Sequence, residues 1–454
     1  MRVVPTNKRA KGIRSFGGWF RKPDFLMSSR GTLSAMSETE IYVPELFPAP
    51  ERPWLYGFLI APMAVLSNGI IGGVLSYLLR NQGVGPARGA AIIALLNLPQ
   101  MIYFLWSPIT DFWIRRRSWL LVAGTAAGVV MYIAFRQASL ATTWAVGLMF
   151  LSACLGQLIV SSCGGMMGTI HLEVNRRRAS SFYQGGSLAF GALAVFVLAF
   201  FSERFSLGVL GWFSAAMIAL PSLAALAAPK QDVVSESTLR ETRARIWREF
   251  KSTFLRWEAI PYTLVMTFPM GSGAMIQLLP GLAADYHISG HEVAWINGVA
   301  GSLLTAGGAL AATLIPTRVR APVAYLSICI VNEVTLALLW LGPLRPSVYL
   351  VSTMLFLFTV GAAYALFTAV VLEFLGNSGK SGSARYSIIN SLGNVPVTYM
   401  VLVDGIGYAH WGARGMPGID VVLGIGGGVI LLAYFLSRSR QTPVKQNPHV
   451  AVGA

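Results

Sequence analysis

Residues 104–121 read FLWSPITDFWIRRRSWLL, and this stretch decides how the rest of the chain is understood. Apolar runs flank it, yet its middle holds a proline, an aspartate and three consecutive arginines. A helical hairpin needs such an interruption where it leaves a bilayer. Pro108 restricts the residue before it and cannot donate the next helical hydrogen bond, while cations are retained on the cytoplasmic side.

The composition agrees. The 454 residues are 54% hydrophobic and 12% charged, with mean hydropathy +0.60, against about 25% charged residues in soluble domains. A helix crosses the roughly 30 Å hydrocarbon core with about 20 apolar residues. Twelve segments qualify: 54–79, 89–110, 118–135, 143–165, 179–202, 207–228, 257–283, 292–314, 322–341, 348–372, 386–403 and 420–436. Barrel strands would alternate over about ten residues, and these runs do not. The expected fold is an all-α membrane protein with twelve transmembrane helices in two six-helix bundles.

With the N-terminus inside, 29 of the 35 Lys and Arg fall on the cytoplasmic side, leaving Arg80, Arg88, Arg136, Arg204, Arg345 and Arg414 outside. Both termini are then cytoplasmic, and a bacterial inner membrane is the expected location. This bias and anionic lipid account for the net charge of +16, so the bilayer, not nucleic acid, is the expected partner. Cys154, Cys163 and Cys329 all fall in spans and are read as small hydrophobes.

The chain divides into a basic N-terminal tail (1–53), a first bundle (54–228), a linker (229–256), a second bundle (257–436) and a C-terminal tail (437–454). The tail lacks the apolar core of a signal peptide, and Met27 or Met36 are alternative starts. In the linker, Thr238 and Glu241 fit a capping box, and Leu239, Ile246, Phe250 and Phe254 share one helical stripe. An interfacial amphipathic helix is expected, with a solvated linker as the alternative. The halves echo each other: Leu172-Glu173 corresponds to Leu372-Glu373, and Gly186-Ser187-Leu188 to Asn390-Ser391-Leu392. Six-plus-six repeats with a site between them typify many secondary transporters.

The acid and following arginines between spans 2 and 3, echoed as PTRVR at 316–320, resemble the loop signature of the major facilitator superfamily. LWSPITDFWIRRRSWLL and the stretch LPGLAADYHISGHEVAWINGVAGSLLTAGGALAA at 279–312 resemble the branch that contains the muropeptide permeases and acetyl-coenzyme A transporters. In the second half an acid is missing before the basic residues, where Pro316-Thr317-Arg318 stands. The resemblance implies that spans 1, 4, 7 and 10 line a central cavity, with 2, 5, 8 and 11 beside them, and it implies proton-driven uptake.

On those helices lie Asn68, Asn97, Gln100, Gln157, Gln184, Gln277, Asn297, Asn390 and Asn394. Amides donate and accept, which suits a small hydrophilic solute carrying hydroxyls or amides; each equally suits a bridge between helices. Tyr77, Tyr103, Trp106, Trp295 and Tyr364 are candidates to stack on a ring, or to anchor span ends. Gating is expected of Asp111, Arg115, Arg116, Arg117, Glu173 and Arg176, and of Glu373 and Arg385 in the second half, with the alternative that the triple arginine only anchors the loop. Glu333 is the one carboxylate placed near mid-membrane and is the candidate for proton coupling, or a neutral helix-bridging acid; coupling through Asp111 or Glu173 is a further alternative. Glu173, Glu373, Asp285 and Asp404 are placed near span ends.

GNSGKSG at 376–382 lacks the first glycine of a phosphate loop, since Phe374 stands there. His287 and His291 have no third metal ligand. No catalytic residue, metal or cofactor is expected, and the chain is read as a monomer. The rival readings are an efflux transporter and a membrane-embedded enzyme or sensor; the latter should cluster His, Asp or Cys. Replacing Asp111 by Asn should slow transport while the yield of folded protein holds; unchanged turnover would remove it from gating.

Overall fold

The computed structural model describes residues 52–105, 109–110, 112–167, 170, 173–229, 239–316, 318–375 and 382–441. Among the described residues every regular element is helical. Spans 1–6 run Leu55–Asn81, Pro86–Leu105, Arg116–Phe135, Thr143–Met167, Glu173–Phe201 and Leu207–Ala227. Spans 8–10 are Gly290–Leu314, Ala321–Leu341 and Pro346–Leu375.

The other crossings depart from simple rods. Span 7 is split into Ile260–Thr267 and Ala274–Leu282. Pro269 biases the residue before it toward extended backbone, and Phe268 indeed has ψ 156°. Gly271 and Gly273 then adopt φ of +64° and +71°, a region that costs a side-chained residue about 1 kcal/mol or more. The expected continuous helix over 257–283 is therefore corrected to a broken one. The last two spans form one helical stretch, Gly382–Gln441, that reverses at Gly412, with φ 66° and ψ −155°. Spans 11 and 12 thus cover 382–411 and 413–441, and the loop expected at 404–419 is helix. Span 2 is described as far as Leu105, its last turn tightening to a 3-10 turn at Tyr103–Leu105.

Spans 1 and 8 contain π-helical stretches at Ala64–Val74 and Ala294–Ala300, local widenings that recur at functional sites. They carry Asn68 and Asn297. Within the first half, span 3 packs on spans 4 and 6; in the second, span 9 packs on spans 10 and 12, the same relation one repeat later. Between halves, span 2 meets span 11, span 5 meets span 8, and span 1 meets span 7.

The linker helix is present as Leu239–Phe254. Thr238 and the side chains of Leu239 and Ile246 lie outside the described residues. Phe250 and Phe254 meet with tilted rings 5.2 Å apart, and Phe254 reaches Phe374 at 6.0 Å on span 10. The end of this helix therefore docks on the second half.

Buried Tyr349 ties three helices: its hydroxyl accepts from Asn297 Nδ2 at 3.2 Å and donates to the Leu279 carbonyl at 3.0 Å. Tyr349→Phe should lower thermal stability in detergent by about 1–3 kcal/mol, because two polar groups lose their partner; an unchanged melting temperature would contradict that bracing role.

Candidate functional site

Two ends of the bundle differ in how the halves meet. The basic end carries the connections between spans 2–3, 4–5, 6–7, 8–9 and 10–11; the opposite end carries the rest. At the opposite end one hydrophobic core runs through both halves, joining Leu79 and Phe135 to Leu278, Tyr286 and Met416. At the basic end each half keeps its own core: Leu59, Leu120 and Met166 in the first, Met266, Tyr325 and Val371 in the second. The halves are closed at one end and separately packed at the other.

Polar contacts lock the closed end. Arg80 on span 1 pairs with Asp285 at the end of span 7 at 3.0 Å, and Tyr408 on span 11 donates to Asp285 while accepting from Arg80. Glu203, between spans 5 and 6, accepts from Tyr77 and from the Gly290 N–H at the start of span 8. A carboxylate there also meets the positive end of the span 8 dipole. Below, Ser76 accepts from the Gly281 N–H, and the crevice lined by Ser76, Arg80, Gly281 and Met416 holds only about 10 Å³, roughly the least that admits one water. A larger groove, about 250 Å³, lies between spans 8 and 10 at Ile288, Trp295 and Leu350.

Deeper in the bundle, Asn97 on span 2 donates to Gln277 on span 7 at 2.8 Å, a buried bond between halves, and Gln100 donates to Asn97. Asn68 donates to Ser187 on span 5 at 3.0 Å. Gln157 is buried, Gln184 is exposed and Asn394 half-buried. Tyr364 is 42% exposed, its hydroxyl seated over Gly273 in the break of span 7.

A family model described as Major Facilitator Superfamily matches residues 57–397. The chain belongs to the major facilitator superfamily. It is a transporter rather than an enzyme. Among solved structures it is similar to the nucleoside transporter NupG, with TM-score 0.65 and 14% identity over 86% of this chain and 99% of that one. It is likewise similar to a POT family transporter in complex with a thioalcohol-conjugated peptide, TM-score 0.64, 10% identity, 88% and 98% covered. A D-xylose-proton symporter gives TM-score 0.62 at 12% identity, 84% and 95% covered. At such identities the likeness speaks for the fold. No curated protein matches by sequence.

At the basic end of this major facilitator protein, Glu373 pairs with Arg320 at 3.3 Å, accepts from Tyr262 at 2.8 Å, and accepts the Ala321 N–H at the start of span 9. The missing acid of the 8–9 loop is thus supplied from span 10. In the first half, Arg116 donates to the Gly165 carbonyl at 2.7 Å, near the end of span 4. Trp106, Pro108 and Asp111 lie outside the described residues, as do the side chains of Glu173, Arg176, Arg385 and Asn390. Two expectations about acids are corrected. Asp404 is fully buried inside span 11, not near a span end, and Glu333 shares its burial with both Asp404 and Asp420.

The Arg80–Asp285–Tyr408 cluster was not expected as a gate; its signal in the sequence was Arg80, one of six cations stranded on the less basic side. Because the pair is partly exposed, its loss should cost about 1 kcal/mol, roughly fivefold in the closed-to-open ratio. Asp285→Asn should therefore lengthen the distance between spin labels at Ala138 and His287 in a fraction of molecules, and the Arg80→Asp, Asp285→Arg exchange should restore it. An unchanged distance distribution in Asp285→Asn would show that the pair holds nothing shut.

Proposed function

We propose that the chain moves a small hydrophilic solute across an inner membrane by alternating access, driven by protons. In this reading both termini are cytoplasmic, and the molecule is closed toward the outside and open toward the cytoplasm. The solute carries hydroxyls or amides, as a cell-wall fragment does, and meets Asn68, Gln157, Gln184, Gln277, Asn297, Tyr364, Asn390 and Asn394. Glu333 takes part in proton exchange.

The observation that carries the reading is the Asn97–Gln277 bond. It joins the halves deep inside, so rocking must break it. Such interhelical bonds average about 0.6 kcal/mol, weak enough for a solute's own hydroxyl or amide to take either amide's place. The same logic extends to the basic end. Glu373 joins Arg320 to the first turn of span 9, and by the internal repeat Glu173 would join Arg115 to the first turn of span 3. Asp111, Arg117, Arg176 and Arg385 complete that gate, which closes when the opposite end opens.

Proteoliposomes under an imposed pH gradient should accumulate labelled anhydro-muropeptide above empty vesicles, and equal uptake would end the cell-wall reading. Asn97→Ala and Gln277→Ala should each reduce uptake by roughly tenfold, equivalent to about 1.4 kcal/mol. Full activity in both variants would move the solute site elsewhere.

A further inference from the structure

Three acids lie buried together in the second half. Glu333 on span 9, Asp404 on span 11 and Asp420 on span 12 are 2%, 0% and 4% exposed. Glu333 stands eight residues from Leu341, and Asp404 and Asp420 stand eight residues on either side of the Gly412 reversal. At about 1.5 Å per residue, all three sit roughly 12 Å inside the opposite end, in one layer. Asp404 interacts electrostatically with both of the others, and Glu333 with Asp420.

Both carboxyl oxygens of Asp404, Oδ1 of Asp420 and Oε2 of Glu333 are buried without a hydrogen-bond partner. The titratable groups facing them are hydroxyls and a thiol: Tyr325 and Cys329 on span 9, and Tyr399 on span 11 beside Asp420, with Tyr364 of span 10 reaching Tyr325. Span 2 packs on span 11 through Ala87 and Ala90, and Arg88 of that segment turns away to the Ala141 carbonyl. Beyond Asp404 toward the opposite end, Tyr408 is held by Arg80 and Asp285, and His410 and Arg414 are exposed. Span 7 brings the Gly271 backbone beside the Glu333 carboxyl. The Glu333 carboxyl lies against Gly424, where any side chain would collide with it.

Ionised carboxylates without cations are expensive in hydrocarbon, whereas the neutral acids are far cheaper to bury. We infer that Glu333, Asp404 and Asp420 form a proton-binding layer whose loading decides whether the opposite end is closed. The inference rests on the transport reading and supplies its coupling site. When loaded, each acid holds an O–H bond to a proton taken from water at the opposite end. On unloading, the O–H bond breaks, the proton leaves to water on the basic side and a carboxylate remains. That anion needs hydration, which opening of the Arg80–Asp285 end, roughly 12 Å away, supplies. Two levers transmit the change: Asp404 sits one turn from Tyr408, and Glu333 lies beside the break of span 7 at Gly271.

Met416, 1% exposed beneath Arg80, offers a reporter position. With Met416→Cys and Cys154→Ala, the fully buried Cys163 and Cys329 are retained. A membrane-impermeant maleimide is then applied to vesicles whose opposite end faces out. The closed state binds protons more tightly, so closure is favoured at low pH and lost as pH rises. Labelling should accelerate with pH, by about tenfold for each unit of proton affinity by which an acid differs between states. In the Glu333→Gln, Asp404→Asn, Asp420→Asn variant, whose amides imitate the loaded acids, labelling should be slow and flat with pH. A parent profile that ignores pH, or a variant profile that overlays the parent, would overturn the inference. If the triple variant does not fold, Asp404→Asn alone must shift the midpoint, and an unmoved midpoint has the same force. No solute enters this assay, so its outcome is separate from that of the uptake experiment.

Discussion

A peptide group without a partner in hydrocarbon costs several kcal/mol, and this constraint governs the break in span 7 on which the second half is organised. Between Thr267 and Ala274 the helical ladder is interrupted, and the surrounding helices answer for its carbonyls. Tyr399 of span 11 donates to the Thr267 carbonyl at 2.8 Å, and Tyr325 of span 9 to that of Met270. Ser272 Oγ accepts from the Ala274 N–H. Gly427 of span 12 leaves space that the Phe268 ring occupies, and Tyr364 of span 10 fills the space over Gly273. Four helices therefore hold the irregular segment, and none can shift without disturbing it.

The asymmetry between the two ends follows from the same chemistry. At the opposite end an ion pair, a capped helix start and a continuous apolar core join the halves, so closure there rests on many small contributions. At the basic end spans 2 and 11 still touch, but the side-chain hydrogen bonds and ion pair described there stay within a half: Glu373 with Arg320 and Tyr262, Arg116 with Gly165. An arrangement with one end shared and the other separate is one of two states that a repeat-built transporter needs.

Much of this was legible in the sequence, because hydrophobic length and Lys/Arg placement are strong signals. The twelve crossings and the linker helix emerged from them, and Asn297 and Gln277 were found because amides stand out in apolar helices. What escaped notice was polarity hidden inside helix. Asp404, His410, Arg414 and Asp420, together with closely spaced glycines, made 404–419 resemble a loop, yet one glycine at 412 makes the entire turn. The Pro269 and Gly271 signals were present in span 7, but mean hydropathy averages over them. The gate at Arg80 and Asp285 joins residues 205 positions apart, and local pattern carries no information about such pairs.

The docked linker helix sets a limit of a different kind. Its aromatic end is fastened to Phe374, so it travels with the second bundle as ballast, and ten residues of sequence, 229–238, join it to the first. Ten residues reach at most about 35 Å. That covalent length caps how far the bundles can part on the basic side, and shortening it should restrict the swing before it harms either bundle.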